Sequence, residues 1–332
     1  MCTAVTLRSG REQNFFGRTM DFSYCIDPRL YFVPKNYAWQ NVLNGSLFSD
    51  LYAFMAIGQE SGGTLGFFDG VNEKGFAAAA LYFPGYARYD ADADAAGAHK
   101  KPVASLDFLH YILGKCGSVE KLEELSPYLS VAGVPDPVTG IAAPLHWIAA
   151  DRSGRCVVVE PTDRGLEVHR NPIGVMANSP GFQWQMTNLR NYVAVSPKQT
   201  GEADWGDVRL EPFGQAAGTM RLPGGYTSPE RFVRTAYLKT HVKIPAGEAE
   251  TVVTCFHILD SVTVPEGVVE TDRGTYDYTK YIAFINTSTC EYFFRSYHGS
   301  EIVSSKLWDH FEYGTQPICL GELAGKTAFR KL

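Results

Sequence analysis

Strand-like runs in this chain come as hairpins interleaved with pairs of helical segments, and this order, without strict strand–helix alternation, restricts the fold more than any other feature. Residues 3–7 alternate in character, 8–12 form a polar turn, and Asn14-Phe15-Phe16-Gly17-Arg18 completes a first hairpin. Runs at 52–57 and 64–68 flank Gln59-Glu60-Ser61-Gly62-Gly63, and 75–81 follows the turn Asn72-Glu73-Lys74-Gly75. Helical spacing covers 105–116 through Leu106, Leu109, Tyr111, Ile112 and Leu113, and a second helix over 118–125 has Ser118 as its N-cap. Runs at 145–150 and 156–160 bracket Asp151-Arg152-Ser153-Gly154-Arg155 as another hairpin. Helices are expected from Ser228-Pro229 towards Thr240 and over 248–261, and 281–285 with 291–297 reads as a late aromatic-rich hairpin. The pattern predicts an α+β fold in which antiparallel sheets are covered by helices. The low-complexity stretch 91–101 is expected to be an exposed loop, because its small polar residues bury too little surface to order themselves.

A chain of 332 residues, 45% hydrophobic and 20% charged, buries roughly three quarters of its unfolded surface and needs neither disulfides nor metal to hold a core. No linker or repeat divides it, so a single domain over 2–332 is expected, with Met1 removed. The 30 Lys+Arg against 36 Asp+Glu give a net charge of −6, and no polybasic block occurs, which argues against nucleic acid or an anionic membrane as partner. The absence of a long apolar run and of a signal-peptide pattern at the N-terminus leads to an expected cytoplasmic location. Seven cysteines (2, 25, 116, 156, 255, 290 and 319) are scattered without a C-x-x-C pair or histidines at zinc-finger spacing, so neither a disulfide framework nor a structural zinc is expected. Most buried thiols are simply core residues.

Cys2 differs from the other six because it follows the initiator Met. Removal of Met1 places a thiol and a free α-amino group on one residue. An α-amine titrates at about 7.7–8.0 and a thiol at about 8.5, so the amine can take the thiol proton without a histidine. Position 2 can equally be accidental. Gly17-Arg18-Thr19-Met20-Asp21-Phe22 ends the strand expected to pair with the one bearing Cys2. There Asp21 could hold the α-amino group and Arg18 could favour the thiolate, or the two could form an ordinary surface pair. Asn178, before Ser179-Pro180, suits a turn, and its side-chain amide also suits an oxyanion hole. Arg231 falls near a helix start, where positive charge opposes the dipole, which suggests a task beyond pairing with Glu230.

Taken in order, Cys2, Gly17-Arg18-Thr19-Met20-Asp21-Phe22, Asn72-Glu73-Lys74-Gly75, Phe83-Pro84-Gly85-Tyr86-Ala87, Asn178-Ser179-Pro180 and Arg231-Phe232-Val233-Arg234 resemble the choloylglycine hydrolase family of N-terminal nucleophile hydrolases. The resemblance implies a four-layer αββα sandwich of two stacked antiparallel sheets, cofactor-free hydrolysis of linear amides, and a homotetramer. It also implies that Cys2 is nucleophile and base, that Arg18 and Asp21 position it, that Asn178 and the Tyr82 backbone N–H form the oxyanion hole, and that Arg231 supports the site. Family members acting on bile salts usually carry Asn at the position of Tyr82, whereas those acting on penicillin V often carry Tyr. The expected activity is therefore penicillin V acylase, yielding phenoxyacetate and 6-aminopenicillanate. The alternatives are conjugated bile salt hydrolase, acyl homoserine lactone acylase and a non-catalytic binding protein.

Substrate walls are expected from Met20, Phe22 and Tyr24, from the 59–65 turn including Leu65, from Tyr82, and from the 134–143 loop including Ile141. An internal Cys255–His257 pair is a weaker source of chemistry, because residues i and i+2 of a helix point to different faces.

Overall fold

A computed structural model describes residues 1–90, 100–311, 314–323, 325–327 and 329. The first hairpin forms as expected. Strand β1 (Cys2–Arg8) pairs antiparallel with β2 (Asn14–Phe22), in a register that sets Cys2 opposite Met20 and Val5 opposite Gly17. Gly17 is required by close approach, since a Cβ there would lie 2.2 Å from the Phe284 ring. Strands β3 (Arg29–Val33), β4 (Phe54–Ser61), β5 (Thr64–Asn72) and β6 (Ala77–Tyr82) follow. Then come β7 (Leu145–Ala150), β8 (Cys156–Thr162), β9 (Gly165–Arg170) and β10 (Val175–Met176). The C-terminal part supplies β11 (Tyr278–Asn286), β12 (Glu291–Ser296), β13 (Val303–Lys306) and β14 (Ile318–Glu322). They assemble into a six-stranded sheet, β10-β1-β2-β11-β12-β13, and an eight-stranded sheet, β9-β8-β7-β6-β5-β4-β3-β14, with every neighbouring pair antiparallel.

Helices α1 (Phe108–Lys115) and α2 (Val119–Leu125) cover the eight-stranded sheet, and α4 (Ser228–His241) and α5 (Glu248–Asp260) cover the six-stranded one; α3 (Phe182–Asn188) follows the Asn178 turn. The result is the four-layer αββα sandwich. Two-residue alternation along β6 shows how the layers form: Ala77, Ala79 and Leu81 face the core between the sheets, while Ala78 and Ala80 face α1. The neighbouring Gly70 admits the helix itself, since a Cβ there would lie 2.5 Å from Leu113. Ser118 caps α2 by accepting the Lys121 N–H, and Glu230 takes both the N–H and the hydroxyl of Thr227 at the start of α4.

The first expected helix begins at Phe108 instead of 105, because 105–107 form a turn, whereas those expected from Ser228 and Glu248 start at those residues. Of the expected 91–101 loop, residues 91–99 lie outside the described residues. Lys101 does not belong to a loop, since it opens the strand Lys101–Ala104, which pairs in parallel with Leu129–Ala132.

Candidate active site

The β1–β2 register brings Cys2 to one end of the sandwich, where it is buried with 4% exposure. Its Sγ receives the Nη2 of Arg18 at 2.8 Å. Every face of that guanidinium is engaged. Nε donates to the Thr19 carbonyl at 2.9 Å, Nη1 to the Phe68 carbonyl at 3.2 Å, and Nη1 also lies 3.5 Å from Asp69 Oδ2. Burial alone would lower the Arg18 pKa, but Cys2, Tyr281 and Asp69 outweigh it and hold the group above its ordinary value. Asp69 is itself fully buried and is fixed by Tyr281 Oη at 2.6 Å and Tyr292 Oη at 3.0 Å. Burial pushes its carboxyl up, while Arg18 and the two phenols oppose that shift.

Arg18 and Asp21 do not pair with each other. Arg18 turns towards Cys2 and Met20, and its counter-charge is Asp69 on β5. The Asp21 carboxylate accepts from Thr19 Oγ1 at 3.0 Å and from Thr279 Oγ1 at 2.6 Å. Met1 is attached, and its ammonium donates to the Asp21 backbone carbonyl at 2.7 Å and lies 3.6 Å from Asp277 Oδ2. This contact belongs to the Met1 amine; the Cys2 nitrogen is an amide while Met1 precedes it, and gives its N–H to Asn178 Oδ1.

Asn178 joins the two sheets. Its Oδ1 accepts the Cys2 N–H at 2.8 Å and Arg231 Nη2 at 2.6 Å, and its Nδ2 donates to the Tyr82 carbonyl at 2.7 Å. One Nδ2 proton remains. The Phe83 N–H bonds to the Pro144 carbonyl, so antiparallel alternation turns the N–H and C=O of Tyr82 away from β7 and towards Asn178. Arg231 is fully buried in the first turn of α4 and donates to the Cys2 carbonyl, Thr3 Oγ1 and the Tyr226 carbonyl. These acceptors replace the exposed Glu230 pairing and explain a cation placed against the helix dipole. Burial lowers its pKa, opposed by Asp21 and Cys2.

A largely apolar cavity opens onto Cys2. Met20, Phe22 and Tyr82 line it as expected, as do Gln59, Ser61 and Thr64 of the β4–β5 turn and residues 136–139 of the loop. Three expected wall residues lie elsewhere. Tyr24 packs against Phe22 with ring centres 5.0 Å apart, Leu65 packs against the core beneath α1, and Ile141 is 55% exposed. Leu65 alternates with Thr64 and Gly66 along β5 and so takes the other face, whereas Tyr24 and Ile141 lie in bends outside the strands. Phe67, Leu109 and Trp147 complete the wall from elements without a local motif. Asp69, Tyr281 and Tyr292 likewise carried no spacing signal, since they meet across more than 200 residues of sequence.

A cysteine at the head of a central strand, reached from the open end of a two-sheet sandwich and enclosed by helical layers, is the architecture of the N-terminal nucleophile hydrolases. Residues 2–317 match the model of the linear amide C–N hydrolases, choloylglycine hydrolase family. The chain is 32% identical over 302 residues to the bile salt hydrolase/transferase of Clostridium perfringens, covering 91% of each. It superposes with a TM-score of 0.91 on the crystal structure of the C2A mutant of the conjugated bile acid hydrolase from Clostridium perfringens, at 29% identity over 99% of each chain. It is also 28% identical to the penicillin V acylase of Pectobacterium atrosepticum, over 69% of this chain and 58% of that one. The chain belongs to the choloylglycine hydrolase family and is an amidohydrolase acting on linear amides. Among the described residues, no helix is long and apolar enough to cross a membrane.

Proposed function

We propose that this enzyme hydrolyses conjugated bile salts, releasing glycine or taurine. Near-complete coverage by bile salt hydrolases, against partial coverage by the penicillin V acylase, carries this reading and displaces the penicillin V preference expected from Tyr82. After Met1 removal, the Cys2 α-amine takes the thiol proton and Arg18 stabilises the thiolate. Sulfur attacks the amide carbonyl. Asn178 Nδ2–H and the Tyr82 N–H stabilise the oxyanion, while Arg231 holds Asn178 by its Oδ1. The α-ammonium protonates the leaving amine as the C–N bond breaks, leaving a thioester. Water then cleaves the thioester, the α-amine taking its proton, which releases the bile acid and restores Cys2.

One observation favours penicillin V as a second substrate: the Tyr82 ring lines the cavity and offers an aromatic face to a phenoxy group. Parallel assays of glycocholate, taurocholate and penicillin V decide between them. A kcat/KM for glycocholate at least tenfold above that for penicillin V is expected, and Tyr82→Asn widens the margin. The reverse order would return the assignment to penicillin V.

A further inference from the structure

Tyr24 lies outside the cavity wall, yet it has a partner. Its ring packs at a 37° tilt against Phe22, a wall residue, and also carries Arg273, whose Cζ lies 4.3 Å from the ring centre. Arg273 Nη2 also donates to Ser23 Oγ at 2.6 Å. A hydroxyl and a ring orient this guanidinium, but neither neutralises its charge. The turn that carries it is pinned by Thr271 N–H to the Thr275 carbonyl at 2.8 Å and Gly274 N–H to the Thr271 carbonyl at 2.9 Å, with Glu270 and Tyr276 bridged behind them. An exposed arginine held this way is a preorganised anion acceptor.

Its position relative to Cys2 indicates which part of a substrate it meets. Cys2 pairs with Met20, and Ser23 lies three residues further along that chain, about 10 Å away at strand rise. In the reaction proposed above, the Cys2 amine protonates the leaving amine, so the leaving group occupies the side onto which Cys2 N opens. Met1 occupies that side here, with its ammonium 3.6 Å from Asp277, four residues beyond Arg273. The Tyr82 phenol lies within the same field. Burial pushes its pKa up, and the charges of Tyr24, Arg273 and Asp277 act on it as well.

We propose that Arg273 is a specificity-determining residue whose guanidinium binds the carboxylate or sulfonate on the amine half of the substrate, with Tyr24 as the platform that holds it at the cavity mouth. Glycine conjugates present a carboxylate there and taurine conjugates a sulfonate, each a few bonds from the scissile nitrogen and able to accept two guanidinium N–H groups. The proposal rests on amide hydrolysis at Cys2 and adds to it the chemical class required of the leaving amine.

The test compares glycocholate with its methyl ester, which has the same acyl group and scissile bond but no charge on the amine half. Arg273→Gln is expected to lower the ratio of kcat/KM for glycocholate to that for the ester about tenfold, mainly through KM. Arg273→Lys should restore part of the ratio. Lys280→Gln removes equal charge from a neighbouring site, where the ammonium stacks on Tyr278 at 3.4 Å, and should leave the ratio unchanged. An unaltered ratio in Arg273→Gln, or an equal drop in Lys280→Gln, overturns the proposal. Absence of glycocholate turnover by the parent enzyme would instead remove the bile-salt reading, and the same ratio for penicillin V and its methyl ester would then decide the role of Arg273.

Discussion

Helix α4 carries Arg231 in its first turn and Lys239 in its last, and each lies near a cysteine, but the two ends of the sandwich treat them differently. At the Cys2 end, Arg18 directs an N–H at Sγ from 2.8 Å, Asp69 balances its charge, and Arg231 takes the Cys2 carbonyl and Asn178. At the other end, Lys239 is the cation near Cys156 and Cys255, but its Nζ donates to the Ile173 carbonyl at 2.6 Å and Thr6 Oγ1 at 2.8 Å. Burial pushes Cys156 up to about 12 and Cys255 well above the usual thiol range, with Lys239 opposing only weakly, while burial lowers Lys239 itself to about 8. A nearby buried cation does not make a thiol reactive. The donor must point at sulfur, its charge must be balanced, and a cavity must reach the site.

The largest effect expected from this contrast is at Cys2. Cys2→Ala should lower turnover by about 10⁴-fold or more with the fold intact, as for other lone nucleophiles. In a background with the exposed Cys25 and Cys319 replaced by Ser, iodoacetamide at neutral pH should label Cys2 alone, in step with loss of activity. Equal labelling of Cys156 or Cys255 by peptide mass spectrometry would erase the distinction between the two ends.

The balancing charge comes next. Asp69→Asn leaves Arg18 buried without its counter-charge and is expected to cost about 3 kcal/mol in urea unfolding. Tyr281→Phe removes one donor to Asp69 and should cost about 1 kcal/mol. The kcat loss caused by Asp69→Asn should largely vanish in an Arg18→Leu background; additive losses would show that Asp69 acts independently of Arg18.

Lys239 supplies the smallest and most specific test. Because its folded pKa is lowered, the unfolded chain binds more protons between about pH 8 and the unfolded value of about 10.5, so its burial cost fades as pH rises through that window. Between pH 7.5 and 9.5 the parent should gain about 2 kcal/mol of unfolding free energy relative to Lys239→Met. Parallel stability curves for the two proteins would contradict the burial cost assigned to Lys239.

The strand and helix pattern was legible because its determinants are local: the alternation around Thr3 and Phe15, the Ser118 cap, and the spacing of Leu109, Ile112 and Leu113. Strands whose burial has no clear two-residue rhythm escaped, such as Arg29–Val33, buried at four consecutive positions in the middle of a wide sheet. At the site, Cys2, Arg18, Asn178 and Arg231 were recognisable because each residue type suggests its own chemistry. What each one holds was not recognisable: the Asp21 carboxylate accepts from the Thr19 and Thr279 hydroxyls, and Arg18 pairs with Asp69.

Sequence alone therefore determined the α+β class, the hairpin that carries Cys2 and the set of candidate side chains, because local periodicity and side-chain chemistry are written residue by residue. Only the tertiary structure decided that Asp69, Tyr281 and Tyr292 stand behind Arg18, and that Tyr24 supports Arg273 instead of lining the cavity. Those arrangements depend on sheet register and on contacts between residues hundreds of positions apart, which leave no spacing in the chain to read.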